Sequence, residues 1–370
     1  MSFRNPTWLE FTGIIWKAAH RVINHNFTIA FLRALVVRFE KILLDNYLLF
    51  CMNLLTTQPL ISIIIPTYNH ADYVGAAIES VLAQKVPGME IVVVDDGSRD
   101  ETAARAEAVL SGQQAVAWRM IRQENQGAHA AINNGIAAST GKYITILNSD
   151  DRFLPGRLST LLRKARQSGA RFLFTRVRHV DAAGNPLASK APHVFYYRQS
   201  LQDSRRFAHP NFEFLRHNWA LTTGNFFMQR SLVEQVGLFA PYIICHDWDY
   251  ALRCLLVEDL VFVDKPLYEY RVHQANTLRQ ISEDVRWGEI DQVIANYLRN
   301  AQTALNPQAP CQKNFPDTWE SFLASEMPHL IHLPLIQASL PELDLQKYAS
   351  PSMRERFRRF LDFLPWKFNG

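Results

Sequence analysis

The chain has 370 residues, of which 48% are hydrophobic, 12% aromatic and 20% charged. That supplies apolar material for a packed core and too little charge for a disordered chain, so collagen-like, disordered and disulfide-stapled classes are excluded. The net charge of +4 is too mild for a nucleic-acid coat, and no nucleic-acid partner is expected.

Charge is unevenly placed. Residues 1–57 hold six basic against three acidic side chains and residues 351–370 hold five against two, while the middle is slightly acidic. Four dispersed cysteines (Cys51, Cys245, Cys254, Cys311) without CxxC spacing suggest neither zinc nor a disulfide framework and fit a reducing cytoplasm. The first apolar stretch is broken by Glu10, Lys17, His20 and Arg21, so no signal peptide is expected.

Apolar residues with helical spacing between Trp8 and Leu55 predict one or two amphipathic helices in a 1–57 extension. The charge-free run Asn46–Ala71 is divided by Asn53, Thr56, Thr57, Gln58 and Pro59 and is not read as a transmembrane helix. A second basic, aromatic-rich helix is predicted over 353–366. Such helices fit packing on the main domain, a homodimer interface or contact with a membrane surface.

From Leu60 the pattern alternates. Ile61-Ser-Ile-Ile-Ile65 reads as a buried strand ending at Pro66, followed by a helix over 71–84 and a strand over 90–94 ending in Asp95-Asp96-Gly97-Ser98. A helix over 99–110, a strand over 116–121, a helix over 127–139 and a strand over 143–147 follow, the last ending in Asn148-Ser-Asp-Asp151. This is an α/β class with an open, mainly parallel twisted sheet flanked by helices. Ligands of such sheets sit beyond the carboxyl ends of the strands, where Thr67-Tyr68-Asn69, Asp95-Asp96 and Asp150-Asp151 fall. Carboxylates gathered at one edge repel one another unless a cation or hydrogen-bond donors lie among them, which points to Mg²⁺ or Mn²⁺ with a diphosphate. Neither GxGxxG nor GxxxxGK[ST] occurs there.

The succession Ile61-Ser-Ile-Ile-Ile-Pro-Thr-Tyr-Asn69, Glu79-Ser-Val-Leu-Ala-Gln84, Glu90-Ile-Val-Val-Val-Asp-Asp-Gly-Ser-Arg-Asp100, Glu124-Asn-Gln-Gly127 and Asn148-Ser-Asp-Asp151 resembles the family 2 glycosyltransferases of the GT-A fold. The likeness spans about 58–275, between the 1–57 extension and a mostly helical 276–370 region. It implies an inverting, nucleotide-sugar-dependent enzyme. Pro66, Thr67, Tyr68, Asn69, Asp95, Asp96, Asn125, Gly127 and Asp150 would then line the donor pocket, with Asp151 on the metal. Asn148 stands where many members carry another Asp, which would leave metal binding mainly to Asp151. Asp95, Asp96 and Asp150 are also ordinary cap and turn residues.

Farther on, a helix to about Ser168, a strand over 172–177 and a turn at 181–185 precede an irregular segment from Lys190 to His217, suited to an acceptor loop. Thr222–Met228 resembles the family's buried strand before the catalytic helix. His246-Asp247 stands where members carry an acidic pair, so the resemblance implies Asp247 as catalytic base, with Asp249 turned to another helix face. Tyr268-Glu-Tyr-Arg-Val-His273 resembles a segment in which Arg271 approaches the diphosphate and His273 the metal. A helix is predicted over 281–304. The implied donor is a nucleoside-diphosphate sugar and the acceptor a saccharide or lipid-linked saccharide. The implied setting is cell-envelope polysaccharide or lipopolysaccharide assembly, in the cytoplasm or peripheral on the inner face of its membrane. A nucleotidyltransferase of similar architecture and a catalytically silent scaffold are the competing readings.

Overall fold

A computed structural model describes residues 59–274, 276, 281–327 and 334–340. The helices expected over 8–55 and 353–366 lie outside those residues. Among the described residues no helix is long and apolar enough to cross a membrane.

The first half follows the expected alternation: β1 (Ile61–Thr67), α1 (Val74–Leu82), β2 (Met89–Asp95), α2 (Thr102–Ser111), β3 (Ala117–Arg122), α3 (Ala128–Ala138) and β4 (Tyr143–Ile146). The β-branched runs of β1 and β2 are buried on both faces. Side chains alternate: Ile61, Ile63 and Ile65 pack with Val74, Ile78 and Leu110 on the α1 and α2 side. Ile64 points the other way and joins Ile132 and Ile136 of α3. Each such burial is worth about 1.5–3 kcal/mol.

After β4 come β5 (Arg152–Phe153), α4 (Arg157–Ser168), β6 (Phe172–Val180), α5 (Pro192–Asp203), α6 (Glu213–Arg216), β7 (Phe227–Gln229), α7 (Arg230–Val236), α8 (His246–Leu255) and β8 (Val261–Arg271). The helices α9 (Glu283–Ala301), α10 (Pro316–Glu326) and α11 (Pro334–Ala338) close the described chain. The sheet has eight strands in the order β3-β2-β1-β4-β7-β6-β8-β5. Its first four strands are parallel, β7 is antiparallel to both β4 and β6, β8 is parallel to β6, and β5 is antiparallel to β8. The sheet is therefore mixed, reversing at the short strand β7.

Three local departures from the sequence reading have physical reasons. The segment expected to be irregular over 190–217 contains α5, whose buried residues Tyr197, Ser200 and Asp203 include two polar ones, so no apolar period betrays it. The buried strand expected from Thr222 starts only at Phe227, because Thr223–Asn225 form a 3-10 turn. Strand β8 leaves no strand pattern in the sequence because its centre, Asp264-Lys265-Pro266, is exposed where the β6 pairing shifts register around Arg176. Helices α9 and α10 bring Ile294, Tyr297, Trp319 and Phe322 into the core that holds Ile64, Phe174 and Trp248, so they continue the sheet domain's interior.

Arg157, at the start of α4, is fully buried without a carboxylate partner. Its guanidinium donates to Thr175 Oγ1 (2.6 Å), Asn225 Oδ1 (3.0 Å) and the Asn225 carbonyl (2.9 Å), and lies over the rings of Phe153 and Tyr268. Burial pulls it down to about 9. It ties α4, β6 and the turn before β7 into one unit. Replacing it with Met, which fills similar space but donates nothing, should cost about 1–3 kcal/mol. The urea-unfolding midpoint checks this, and an unchanged midpoint would show that those carbonyl and hydroxyl acceptors need no donor.

Candidate functional site

The carboxyl ends of β1, β2 and β4 lie side by side, and their loops form the first wall of the site. Thr67 and Asp95 are register partners, and Thr67 Oγ1 donates to Asp95 Oδ1 at 3.2 Å while the Ser98 N–H donates to Oδ2 at 3.2 Å. The neighbouring Asp96 is committed elsewhere. It accepts the Gln123 side chain and the N–H groups of Gln126 and Gly127, each at 2.8 Å, and so fixes the loop that carries Asn125. Gly97 allows the close approach: at φ 75° its missing Cβ would sit 3.1 Å from the Asn125 nitrogen. Asn69, in the left-handed region, accepts the Arg99 N–H at 2.8 Å and donates its own N–H to Ser98 Oγ, stapling the β1 and β2 loops together. Next to Pro66 and Thr67, the Tyr68 side chain stands 41% exposed at this rim.

The acidic pair after β4 is divided between two tasks. Asp151 accepts the Tyr268 hydroxyl at 2.6 Å on Oδ2 and the Arg271 N–H at 2.8 Å on Oδ1, and is almost wholly buried. Burial and the adjacent Asp150 charge push its carboxyl well above the ordinary range, and burial with the nearby Asp151 does the same to Tyr268. Asp150 faces the other way. Its Oδ2 lies 2.9 Å from His273 Nε2, and although burial alone would raise it, that bond and the nearby His70 imidazole hold it below the usual value.

His70, Asp150 and His273 offer three potential ligand atoms within 4.8 Å of one another. Among the described residues, the cluster that could hold a metal contains Asp150 rather than Asp151, whose oxygens accept from Tyr268 and Arg271 of β8. Two imidazoles and a carboxylate fit a divalent ion. His70 was missed in the sequence, where nothing but its place directly after the Pro-Thr-Tyr-Asn run marks it. Its N–H donates to Thr102 Oγ1 at 2.7 Å and its ring meets Ser149 Oγ at 2.8 Å. Arg271 backs the cluster. Its guanidinium donates to the carbonyls of Asp150 (2.8 Å) and Ala182 (2.8 Å) and lies over the Tyr73 ring, so it braces the loop that carries Asp150.

Asn148 has a different use from a ligand. Its amide donates to Thr222 Oγ1 at 2.6 Å and accepts from Thr223 Oγ1 at 3.2 Å, a two-way latch that a carboxylate could not make. The latched segment leads back to Asn218, whose side chain lies beside Asp247 at the start of α8. Asp247 is half-buried, accepts the Trp248 N–H at 2.6 Å, and is pushed up to about 7 by burial, which the hydrogen bond only partly offsets. Asp249 is paired with Arg253 at 2.8 Å and points into structure. His246, lowered to about 4 by burial, is neutral.

The sequence profile described as Glycosyl transferase family 2 matches residues 62–237. An uncharacterized glycosyltransferase of Rickettsia prowazekii is 31% identical over 234 residues, 61% of this chain and 69% of that protein. Escherichia coli chondroitin synthase is 29% identical over 220 residues, 59% of this chain but 30% of that one. Among solved structures, the mannosyltransferase PcManGT from Pyrobaculum calidifontis in complex with GDP-Man and Mn²⁺ superposes with a TM-score of 0.52 at 18% identity, covering 84% of each chain. The fold is that of the GT-A glycosyltransferases, as the motifs imply.

Gly224 sits where β8 closes on the latch. A Cβ there would lie 1.9 Å from the Tyr268 hydroxyl and 2.7 Å from its ring carbon, with the Asn148 nitrogen at 3.1 Å. Gly224→Ala should therefore dislodge Tyr268 from Asp151 and lower stability by about 2–4 kcal/mol. Thermal unfolding checks the loss, and wild-type stability would mean the turn has room the structure does not display.

Proposed function

Because the chain belongs to glycosyl transferase family 2, we propose that it moves a sugar from a nucleoside-diphosphate sugar to an acceptor hydroxyl with inversion at the anomeric carbon. The observation that carries this reading is the pair of unlike acidic sites. Asp150 is kept ionised beside two imidazoles, and Asp247, across the Asn148 latch, is poised near neutrality. In this reading Tyr68 and Asp95, framed by Thr67, Asn69, Asn125 and Gly127, receive the nucleotide.

His70, Asp150 and His273 would hold a divalent cation, which supplies positive charge for the diphosphate. A set with two imidazoles suits Mn²⁺ better than Mg²⁺, which prefers oxygen ligands. Asp247 takes the acceptor's proton as its oxygen attacks. The bond from the anomeric carbon to the diphosphate breaks with its electron pair on the leaving group, and one displacement inverts the centre. The similarity to chondroitin synthase supports an acceptor in polysaccharide assembly. The basic excess over 1–57 and 351–370 supports a lipid-linked acceptor at the anionic cytoplasmic surface of a membrane.

A thermal-shift panel of UDP-, GDP- and dTDP-sugars with Mn²⁺ tests the donor class, and the absence of stabilisation by any of them would sink it. Asp150→Asn and His70→Ala should each abolish the Mn²⁺-induced rise in melting temperature while leaving the metal-free melt near wild type. A full Mn²⁺ response in both variants would remove the cation from this cluster.

Asp247→Asn should lower turnover by about 10²–10⁴-fold with nucleotide-sugar binding retained. Since Asp247 works as a carboxylate, kcat/KM should rise with pH along an acid limb centred at about 7 and flatten above it. A limb centred near 4 would show that the carboxylate is not held in the apolar setting described.

A further inference from the structure

The turn that feeds α8 is gripped by a carboxylate from a distant part of the chain. Glu289, in α9, accepts the Ile243 N–H at 2.6 Å on Oε1 and the N–H groups of Ile244 and Cys245 at 2.9 and 3.0 Å on Oε2. Three consecutive backbone donors converging on one anion form a nest, and hydrogen bonds to an ionised acceptor are roughly twice as strong as neutral ones. The helix has no cap of its own, since Cys245 occupies the N-cap position without a side-chain bond. Glu289 also lies outside the residues matched by the family profile.

We infer that Glu289 is a positioning residue for sugar transfer: by clamping Ile243–Cys245 from α9, it sets the direction in which Asp247 leaves the first turn of α8. This rests on Asp247 being the base. The charged and titratable groups around the turn are Tyr242, Cys245, His246, Asp247 and Asp249 of the same segment, His129 of α3 against His246, and Arg286 and Glu289 of α9. Burial raises the Asp247 carboxyl most, its hydrogen bonds pull it back, and the Glu289 charge adds a smaller upward push. The Glu289 charge therefore reaches both the backbone of the turn and the Asp247 carboxyl.

The test uses the full-length chain without ligand. With ¹³C-labelled aspartate, the Asp247 carboxyl signal is assigned by its loss in Asp247→Asn. Its titration midpoint should fall measurably in Glu289→Gln. Amide exchange at 243–247 should accelerate about tenfold or more in Glu289→Ala, with exchange in β1 and β2 unchanged. Glu289→Gln keeps the side-chain shape and carries both readouts if the alanine variant does not fold. Either readout unmoved overturns the role. Nucleotide release from UDP-GlcNAc or GDP-mannose separates the two readings. Full release by Asp247→Asn removes the base and this role with it. Lost release in Asp247→Asn, with either the titration or the exchange of the Glu289 variants unmoved, removes the role alone.

Discussion

Asp150 and Asp151 are adjacent and buried, and two bare carboxylates cannot share such a place at full charge. The protein resolves the conflict by giving them opposite surroundings. Asp151 receives a phenol and a backbone N–H from β8, which satisfies its oxygens whether or not it holds a proton. Asp150 receives imidazoles, which favour the charged form. One carboxyl becomes mortar between β4 and β8, and its neighbour is left as the anion of the site. The arrangement works only because β8 runs alongside β6 to deliver Tyr268, Arg271 and His273 to the end of β4.

The sheet reverses at β7, which is antiparallel to both β4 and β6. A fifth parallel strand beside β4 would return the chain to the far edge before it re-entered. The antiparallel β7 instead starts near the β4 terminus, so the turn before it can be latched by Asn148. Arg157 secures that turn from below through Asn225, and Asn218, a few residues upstream, reaches the head of α8. Asp247 and the Asp150 cluster are thus connected through a short run of hydrogen-bonded loop, although nearly a hundred residues separate them in sequence.

Much of the first half was legible because its chemistry is local. Ile61–Ile65 and Glu90–Val94 are β-branched runs that only a doubly covered strand explains, and their ends mark where Thr67 and Asp95 must lie. The split between Asp150 and Asp151 was not legible. It depends on which carboxyl faces β8, a strand hidden by the exposed Asp264-Lys265-Pro266, and sequence order says nothing of that rotation. His70 escaped for a similar reason, since a single imidazole in a loop acquires meaning only when Thr102 and Ser149 orient it. Asn148 hydrogen-bonds to Thr222 and Thr223, which the chain order alone does not bring to it.

Helices α9 to α11 would be easy to regard as appendages, as they fall outside the family's motifs. Their contacts argue otherwise. Tyr297, Trp319 and Phe322 complete the interior under Phe212 and Trp248, and the Trp248 ring nitrogen donates to the Phe214 carbonyl at 2.6 Å, binding α8 to α6. Asp247 stands one residue before Trp248, so the rigidity of that packing is passed directly to its carboxyl. A helix start held only by its own first turn would fray. Here one side is wedged by aromatic packing and the other clamped by a carboxylate, and the Asp247 carboxyl, with its elevated pKa, gains a fixed direction without a charged partner that would lower it again.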